Sequence, residues 1–282
     1  MARLTFTICM MLSLLPLPAQ AQERVPVDVQ LVLGADISAS MTPDELKVQR
    51  EGYAAALTDD AVLNAIRSGA YGKIAVTYFE WAGVTSQNVV VPWTVIAAPA
   101  DAEAVARGIA VPPTWQSRRT SISGAMNFAA GLLDASPYKG IKRVIDLSGD
   151  GANNEGPPLV ETRDAITAQG ITINGLPVMT ADAAPQPYDV PNLDKYFSEC
   201  VIGGPAAFVM PVHEWEQFPE AIRRKLLLEL AIRPQDPGRR PPVMLIQAKP
   251  AYDCLIGEKL WRQDDRKHFF NPENDYRRRG TP

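Results

Sequence analysis

Gly34-Ala35-Asp36-Ile37-Ser38-Ala39-Ser40 is the stretch whose reading decides the fold. It follows an apolar run, Val27 to Leu33. It precedes Thr42-Pro43-Asp44-Glu45, which fits a capping box with proline at the first helical position. The stretch is therefore a turn from strand to helix. Along it one carboxylate and two hydroxyls alternate: Asp36, Ser38 and Ser40. An extended loop presents all three oxygens on one side. A hard cation such as Mg2+ takes oxygen ligands in near-octahedral geometry. An Asp that ends a strand beside helix-capping serines has the same sequence, so the stretch alone leaves both readings open.

Working outward, Val27 to Asp36 reads as a largely buried first strand, followed by a helix to about Arg67. Lys73 to Trp81 and Val89 to Ile96 read as the second and third strands. The short turn between them, Gly83 to Asn88, makes the pair an antiparallel hairpin. Pro92 lacks a ladder donor and puts the third strand at a sheet edge. Asp101 to Ile109 is a short helix, Val111 to Arg119 an irregular loop, and Ser121 to Leu133 a helix. Lys142 to Leu147 is an apolar strand that runs into Ser148-Gly149-Asp150-Gly151. A helix starts at Pro157-Pro158 and ends near Gln169, and Ile171 to Val178 is a fifth strand. Leu193 to Val201 is a helix, Ala207 to Val212 a short sixth strand, and Pro219 to Ala231 the final helix. This alternation predicts an α/β, doubly wound, mostly parallel six-stranded sheet with helices on both faces and one antiparallel edge strand.

The ends differ in composition. Residues 1–21 read as a secretory signal peptide: Arg3, an apolar run from Leu4 to Leu15, and Ala19-Gln20-Ala21 as the cleavage site. The run is too short to span a bilayer. The main domain is then 22–231. From Pro234 to Pro242 the chain reads as a proline-rich linker, and VMLIQA (243–248) as a candidate strand. The extension 232–282 is expected to pack on the domain and to end in a solvated tail. Removing 1–21 takes Arg3 away and changes the formal charge of −4 to −5. That balance offers no basic stripe for nucleic acid. It also removes Cys9, one of three cysteines, leaving Cys200 and Cys254. A pair of cysteines in an oxidising compartment, a periplasm or the outside of the cell, points to a disulfide. Closing a loop of that length stabilises by roughly 4 kcal/mol in the chain-entropy model.

Three segments carry chemistry together: Asp36-x-Ser38-x-Ser40, Thr120 before a helix, and Asp150 at the end of a strand. In a doubly wound sheet, ligands bind at the carboxyl ends of strands where strand order reverses. This constellation resembles the von Willebrand factor type A domain and its metal-ion-dependent adhesion site, and it is most similar to a secreted bacterial branch without known activity. The resemblance covers about residues 25–231. It rests on Asp36, Ser38, Ser40, Thr120 and Asp150 with Gly151, and on the spacing from Thr120 to Gly124, Ala125 and Met126. It implies a site for Mg2+, with Mn2+ or Ca2+ as substitutes, and a binding module rather than an enzyme. Two carboxylates cancel the ion's charge, the hydroxyls are neutral, and a carboxylate from a protein or other partner fills the remaining position.

Around that set, Gly151, Asn153, Asp146, Trp115, Arg118 and Arg119 are expected as supporting or rim residues. Arg118-Arg119 replaces the small residues usual before the Thr of this family. The competing reading is a metal-dependent hydrolase acting on phosphate or ester, and a third is a scaffold with a vestigial site. The hydrolase lacks a second carboxylate at position 38, a P-loop and a Gly-x-Ser-x-Gly elbow. His213 and His268 lie outside any motif. Glu80 and Glu155 are the remaining candidate bases.

Overall fold

The computed structural model describes residues 23–111, 115–180, 189–231 and 252–269. The expected signal peptide, the VMLIQA stretch and the end of the chain lie outside the described residues. Among them no helix is long and apolar enough to cross a membrane.

Among the described residues five strands form one sheet, ordered β3-β2-β1-β4-β5. They are β1 Val25–Asp36, β2 Ile74–Trp81, β3 Gln87–Ile96, β4 Tyr138–Gly149 and β5 Thr172–Pro177. Only β3 runs antiparallel, at the edge, where Pro92 needs no ladder donor. The expected sixth strand is a correction. The chain near Val209 and Val212 runs parallel to β5 but joins it only through isolated bridges, Gly175 to Val209 and Val178 to Val212. Gly203–Pro205 and Ala206 turn the chain just before it, with Gly204 and Ala206 in the left-handed region.

β1 is the central strand and is buried from Val27 onward. Its side chains alternate between two cores. Leu31, Leu33 and Ala35 face α1 (Pro43–Leu57), α2 (Asp60–Arg67), α3 (Pro99–Ile109) and α7 (Phe218–Leu230). Val32 faces the opposite core, with α4 (Ile122–Ala135), α5 (Leu159–Thr167) and α6 (Leu193–Tyr196). Gly34 lies on that face against Phe79 and Leu147, where a Cβ would come within 2.6 Å of the Phe79 ring.

The first helix is two. Thr42 and Glu45 form the expected capping box. The helix then stops at Thr58, and Asp59 caps a second one by accepting from the amides of Ala61 and Val62. The expected Leu193–Val201 helix is one α-turn followed by a π-helical turn, Phe197–Val201, which carries Cys200. A helix that the sequence reading did not anticipate, α8 (Ile256–Phe269), follows Cys254. Cys200 and Cys254 form a disulfide.

Candidate metal site

β1 and β4 are neighbours, with Ala35 opposite Ser148. Strand order reverses there: β2 and β3 lie to one side of β1, β4 and β5 to the other. Asp36 ends β1 and Asp150 follows β4, so both carboxylates reach the crevice at this reversal.

The turn after β1 closes through Asp36, whose Oδ1 accepts from the Ser38 amide at 2.7 Å. Ser38 Oγ and Ser40 Oγ share a hydrogen bond of 3.0 Å. Ser40 Oγ donates to Asp150 Oδ1, also at 3.0 Å. Asp36, Ser38, Ser40 and Asp150 thus form one connected set. Asp36 is fully buried at its base, while Ser40 and Asp150 are partly exposed at its mouth.

Thr120 arrives on a third segment. The Ala39 amide donates to the Ser117 carbonyl at 2.8 Å, tying that segment to the serine turn. Asn154 fixes Thr120 twice: its Oδ1 accepts from the Thr120 amide, and its own amide donates to the Thr120 carbonyl. A Cβ on Gly151 would lie 3.6 Å from Thr120 Oγ1, so the loop after β4 passes beside that hydroxyl. Asn154 is the asparagine that clasps the Thr120 backbone, while Asn153 ties the same loop to the start of α4. The signal for Asn154 was its place three residues after Asp150-Gly151, which also fits a simple turn.

The electrostatics are unbalanced. Asp36 Oδ2 is buried with no hydrogen-bond partner. Among the described residues no Lys, Arg or His forms an ion pair with Asp36 or Asp150. Burial first, and then the charge of Asp150, push the Asp36 carboxyl well above the carboxylate range, against the pull of the Ser38 amide. Burial also raises Asp150, to about 6, opposed by the Ser40 hydroxyl. A Cβ on Gly149 would sit 3.0 Å from Asp36 Oδ2 and 3.3 Å from the Trp81 ring, so glycine keeps the space beside that oxygen. Two carboxylates, one with an oxygen that has no hydrogen-bond partner among the described residues, and two linked hydroxyls lie together with the Thr120 loop beside them, and oxygens of this kind suit a hard dication. Among the described residues no group of three or more His, Cys, Asp or Glu could hold a metal, so the candidate set has only two carboxylates and otherwise consists of hydroxyls.

A cleft of about 240 Å3 opens beside Ser40 and Asp150, walled by Met41, Met179, Leu193 and Trp215, with Glu45 and Asp189 at its edge. Glu45 is held there by Trp215 Nε1 at 2.9 Å.

The other expected residues fall in several places. Asn153 is fully buried and accepts from the Ser123 amide and hydroxyl, at the start of α4. Asp146 lies one turn of strand below the site, facing α7. Lys225 Nζ reaches it at 2.6 Å and forms an ion pair with it. Trp115 packs against the α1 core, and Trp81 is wholly buried. Arg118 is exposed. Arg119 stacks over the Trp261 ring of α8 at 3.9 Å, which turns that cation toward α8. Glu80 pairs with Arg50 at 2.9 Å in the interior. Glu155 accepts from the Val84 amide at 2.9 Å. Two further residues brace the site from α1: Gln49 and Tyr53 both donate to Ser148 Oγ, two positions before Asp150.

The family described as "Protein of unknown function (DUF1194)" matches residues 26–234. The chain belongs to that family. The fold of this DUF1194 protein is von Willebrand factor type A-like. No protein of curated function matches its sequence. Among solved structures, the pilus adhesin SpaC from Lactobacillus rhamnosus GG is 14% identical, with a TM-score of 0.55 over 74% of this chain and 30% of SpaC. A von Willebrand factor type A protein from Catenulispora acidiphila is 15% identical, with a TM-score of 0.48 over 72% of this chain and 43% of that one. Proximal thread matrix protein 1 from the mussel byssus, solved with zinc in its MIDAS motif, is 15% identical, with a TM-score of 0.49 over 74% of this chain and 49% of that one. At these identities the likeness is one of fold, and the DUF1194 protein spans less than half of each of these longer chains.

Proposed function

We propose that this DUF1194 protein is a binding module that uses a divalent cation, Mg2+ first, to capture an acidic group of a protein partner. Asp36, Ser38, Ser40, Thr120 and Asp150 would hold the ion, directly or through water. The observation that carries the reading is the uncompensated pair of carboxylates. Asp36 and Asp150 converge at a buried position with an orphaned oxygen and, among the described residues, no ion-pair partner. A dication supplies the missing charge and keeps water in its remaining positions, where an oxygen ligand such as a partner's carboxylate can replace it. The residues themselves fix the geometry: the serine turn, the Asn154 clasp on Thr120, and the α1 contacts to Ser148.

The hydrolase reading has less support. Both candidate bases are engaged, Glu80 with Arg50 and Glu155 with the Val84 amide. The disulfide supports placement of the protein in an oxidising compartment, as does the signal-peptide reading of 1–21, and we propose the periplasm or the cell exterior. We also propose 22–231 as the binding domain.

The test is capture from a cell-envelope extract on immobilised protein, in Mg2+ and in EDTA, beside an Asp36→Ala control. The reading expects a partner retained in Mg2+ and released by EDTA, and not retained by the variant. Equal retention in EDTA contradicts metal-bridged capture. Turnover of phosphate or ester substrates that is lost in the variant would favour the hydrolase.

A further inference from the structure

We infer that α8 is an outer brace of the cation site, pinned by the Cys200–Cys254 disulfide, and that Glu258 and Trp261 are positioning residues for the loops carrying Thr120 and Asp150. The inference rests on the cation reading above and adds an element outside the 26–234 match.

α8 meets the site loops at three points. Asn153 Nδ2 donates to Glu258 Oε1 at 2.7 Å. Arg119, adjacent to Thr120, lies over Trp261 at 3.9 Å. Gly257 packs on the Asn153 backbone so closely that a Cβ there would come within 2.2 Å of the carbonyl oxygen. The contacts converge on the two loops that matter. Asn153 follows Asp150 by three residues and precedes Asn154, which clasps Thr120 at both backbone groups. Asn153 also accepts from Ser123 at the start of α4, so one side chain links α8, the loop after β4 and the helix after Thr120.

The stem of the brace is equally attached. Cys254 is bonded to Cys200 on the π-helical turn. The Tyr252 amide donates to Glu199 Oε2 at 2.8 Å. The Tyr252 ring meets Tyr196 edge-on at 5.7 Å, and Tyr196 Oη accepts from the Asn153 amide. The loops carrying Thr120 and Asp150 are therefore held from β4 or α4 on one side and from α8 on the other. Such outer partners fix the orientation of metal ligands, and losing one weakens affinity.

The experiment titrates Mn2+ into the full chain by calorimetry and follows amide exchange in the metal-free protein. Glu258→Ala and Trp261→Leu remove the two contacts, while Glu258→Gln keeps an acceptor for Asn153. The brace predicts about five- to tenfold weaker Mn2+ binding for Glu258→Ala, the scale of one hydrogen bond. Trp261→Leu weakens it by less, and Glu258→Gln restores it to within about twofold. It also predicts faster exchange at 117–121 and 150–155 in Glu258→Ala, with β1 unchanged. Wild-type Mn2+ affinity in Glu258→Ala and Trp261→Leu, or unchanged exchange in those loops, overturns the brace. A wild-type chain that takes no Mn2+ overturns the cation reading instead, and the exchange arm then decides the brace alone.

Discussion

Two carboxylate clusters sit on or beside β4, their members Asp146 and Asp150 four residues apart, and they are resolved differently. At the lower one, Asp146 and Glu229 share Lys225, at 2.6 and 2.7 Å. All three side chains are buried between the sheet and α7, and Asn174 Nδ2 adds a hydrogen bond to Glu229. At the upper one, Asp36 and Asp150 have hydroxyls and an amide but, among the described residues, no side-chain cation. Burial raises carboxyls in both places, Asp146 to about 7 and Asp150 to about 6. The protein thus builds an internal cation where charge serves packing, and leaves one out where the crevice opens to solvent. The second arrangement needs something from outside, a proton or a metal ion.

Lys225→Met is the strongest way to break the contrast. It strands two buried carboxylates, and breaking a buried pair costs about 3–5 kcal/mol. The thermal midpoint is expected to fall by roughly 10 °C at 2–4 °C per kcal/mol for a domain of this size. Its rise on adding Mg2+ should persist, because the upper cluster is untouched. Loss of the metal response in this variant would merge the two clusters into one.

Asp36→Ala reverses the pattern. It removes the metal response, while the metal-free protein loses little stability because like-charge repulsion with Asp150 goes too. A wild-type increase in midpoint with Mg2+ would contradict the assignment of Asp36. Wild type itself should gain about 2.7 kcal/mol at a hundredfold excess of cation over Kd.

The pH response sharpens the comparison further. Asp150 and Asp146 bind protons more tightly folded than unfolded, about 6 and 7 against the ordinary 3.8. Their contribution to metal-free stability is therefore full below pH 4 and is lost as pH rises through 6 and 7. A cation competes with the protons on Asp36 and Asp150 only. The Mg2+-induced shift in midpoint should grow from pH 5 to pH 7.5, measured by scanning calorimetry. A shift that is flat across that range would show that the metal does not sit on those carboxylates. The smallest effect is expected for Thr120→Val, which removes one neutral ligand and keeps the Asn154 clasp on the backbone: about tenfold weaker Mn2+ binding by calorimetric titration.

Much of this was legible in the sequence, and the reasons are physical. The run Val27 to Leu33 is apolar because β1 is buried on both faces, and the capping box at Thr42 marks the helix whatever surrounds it. Asp36, Ser38 and Ser40 are close in sequence, so their alternation places them without knowledge of the fold. Asp150 could be joined to them only by assuming that its strand neighbours β1, as it does. What failed depended on contacts between distant residues. The pairing of Asp146 with Lys225 joins positions from β4 and α7, and nothing local to VIDLSGD distinguishes it from a support of the site. Arg119 read as a rim charge until Trp261 was in place beneath it. The extension was expected to pack on the domain, but the helix at 256–269 is charged and weakly apolar, so no helical pattern marked it, and the disulfide and Gly257 that seat it act at long range. The sixth strand failed for the opposite reason. Its apolar residues are real, but Gly203, Gly204 and Pro205 bend the chain, and only isolated bridges form.

The most direct measurement is calorimetric titration of Mg2+ and Mn2+ into the wild-type chain, Asp36→Ala and Lys225→Met at pH 7.5. The account predicts one ion bound per chain in wild type and in folded Lys225→Met, and none in Asp36→Ala. Binding of the same ion with unchanged affinity in Asp36→Ala would contradict it.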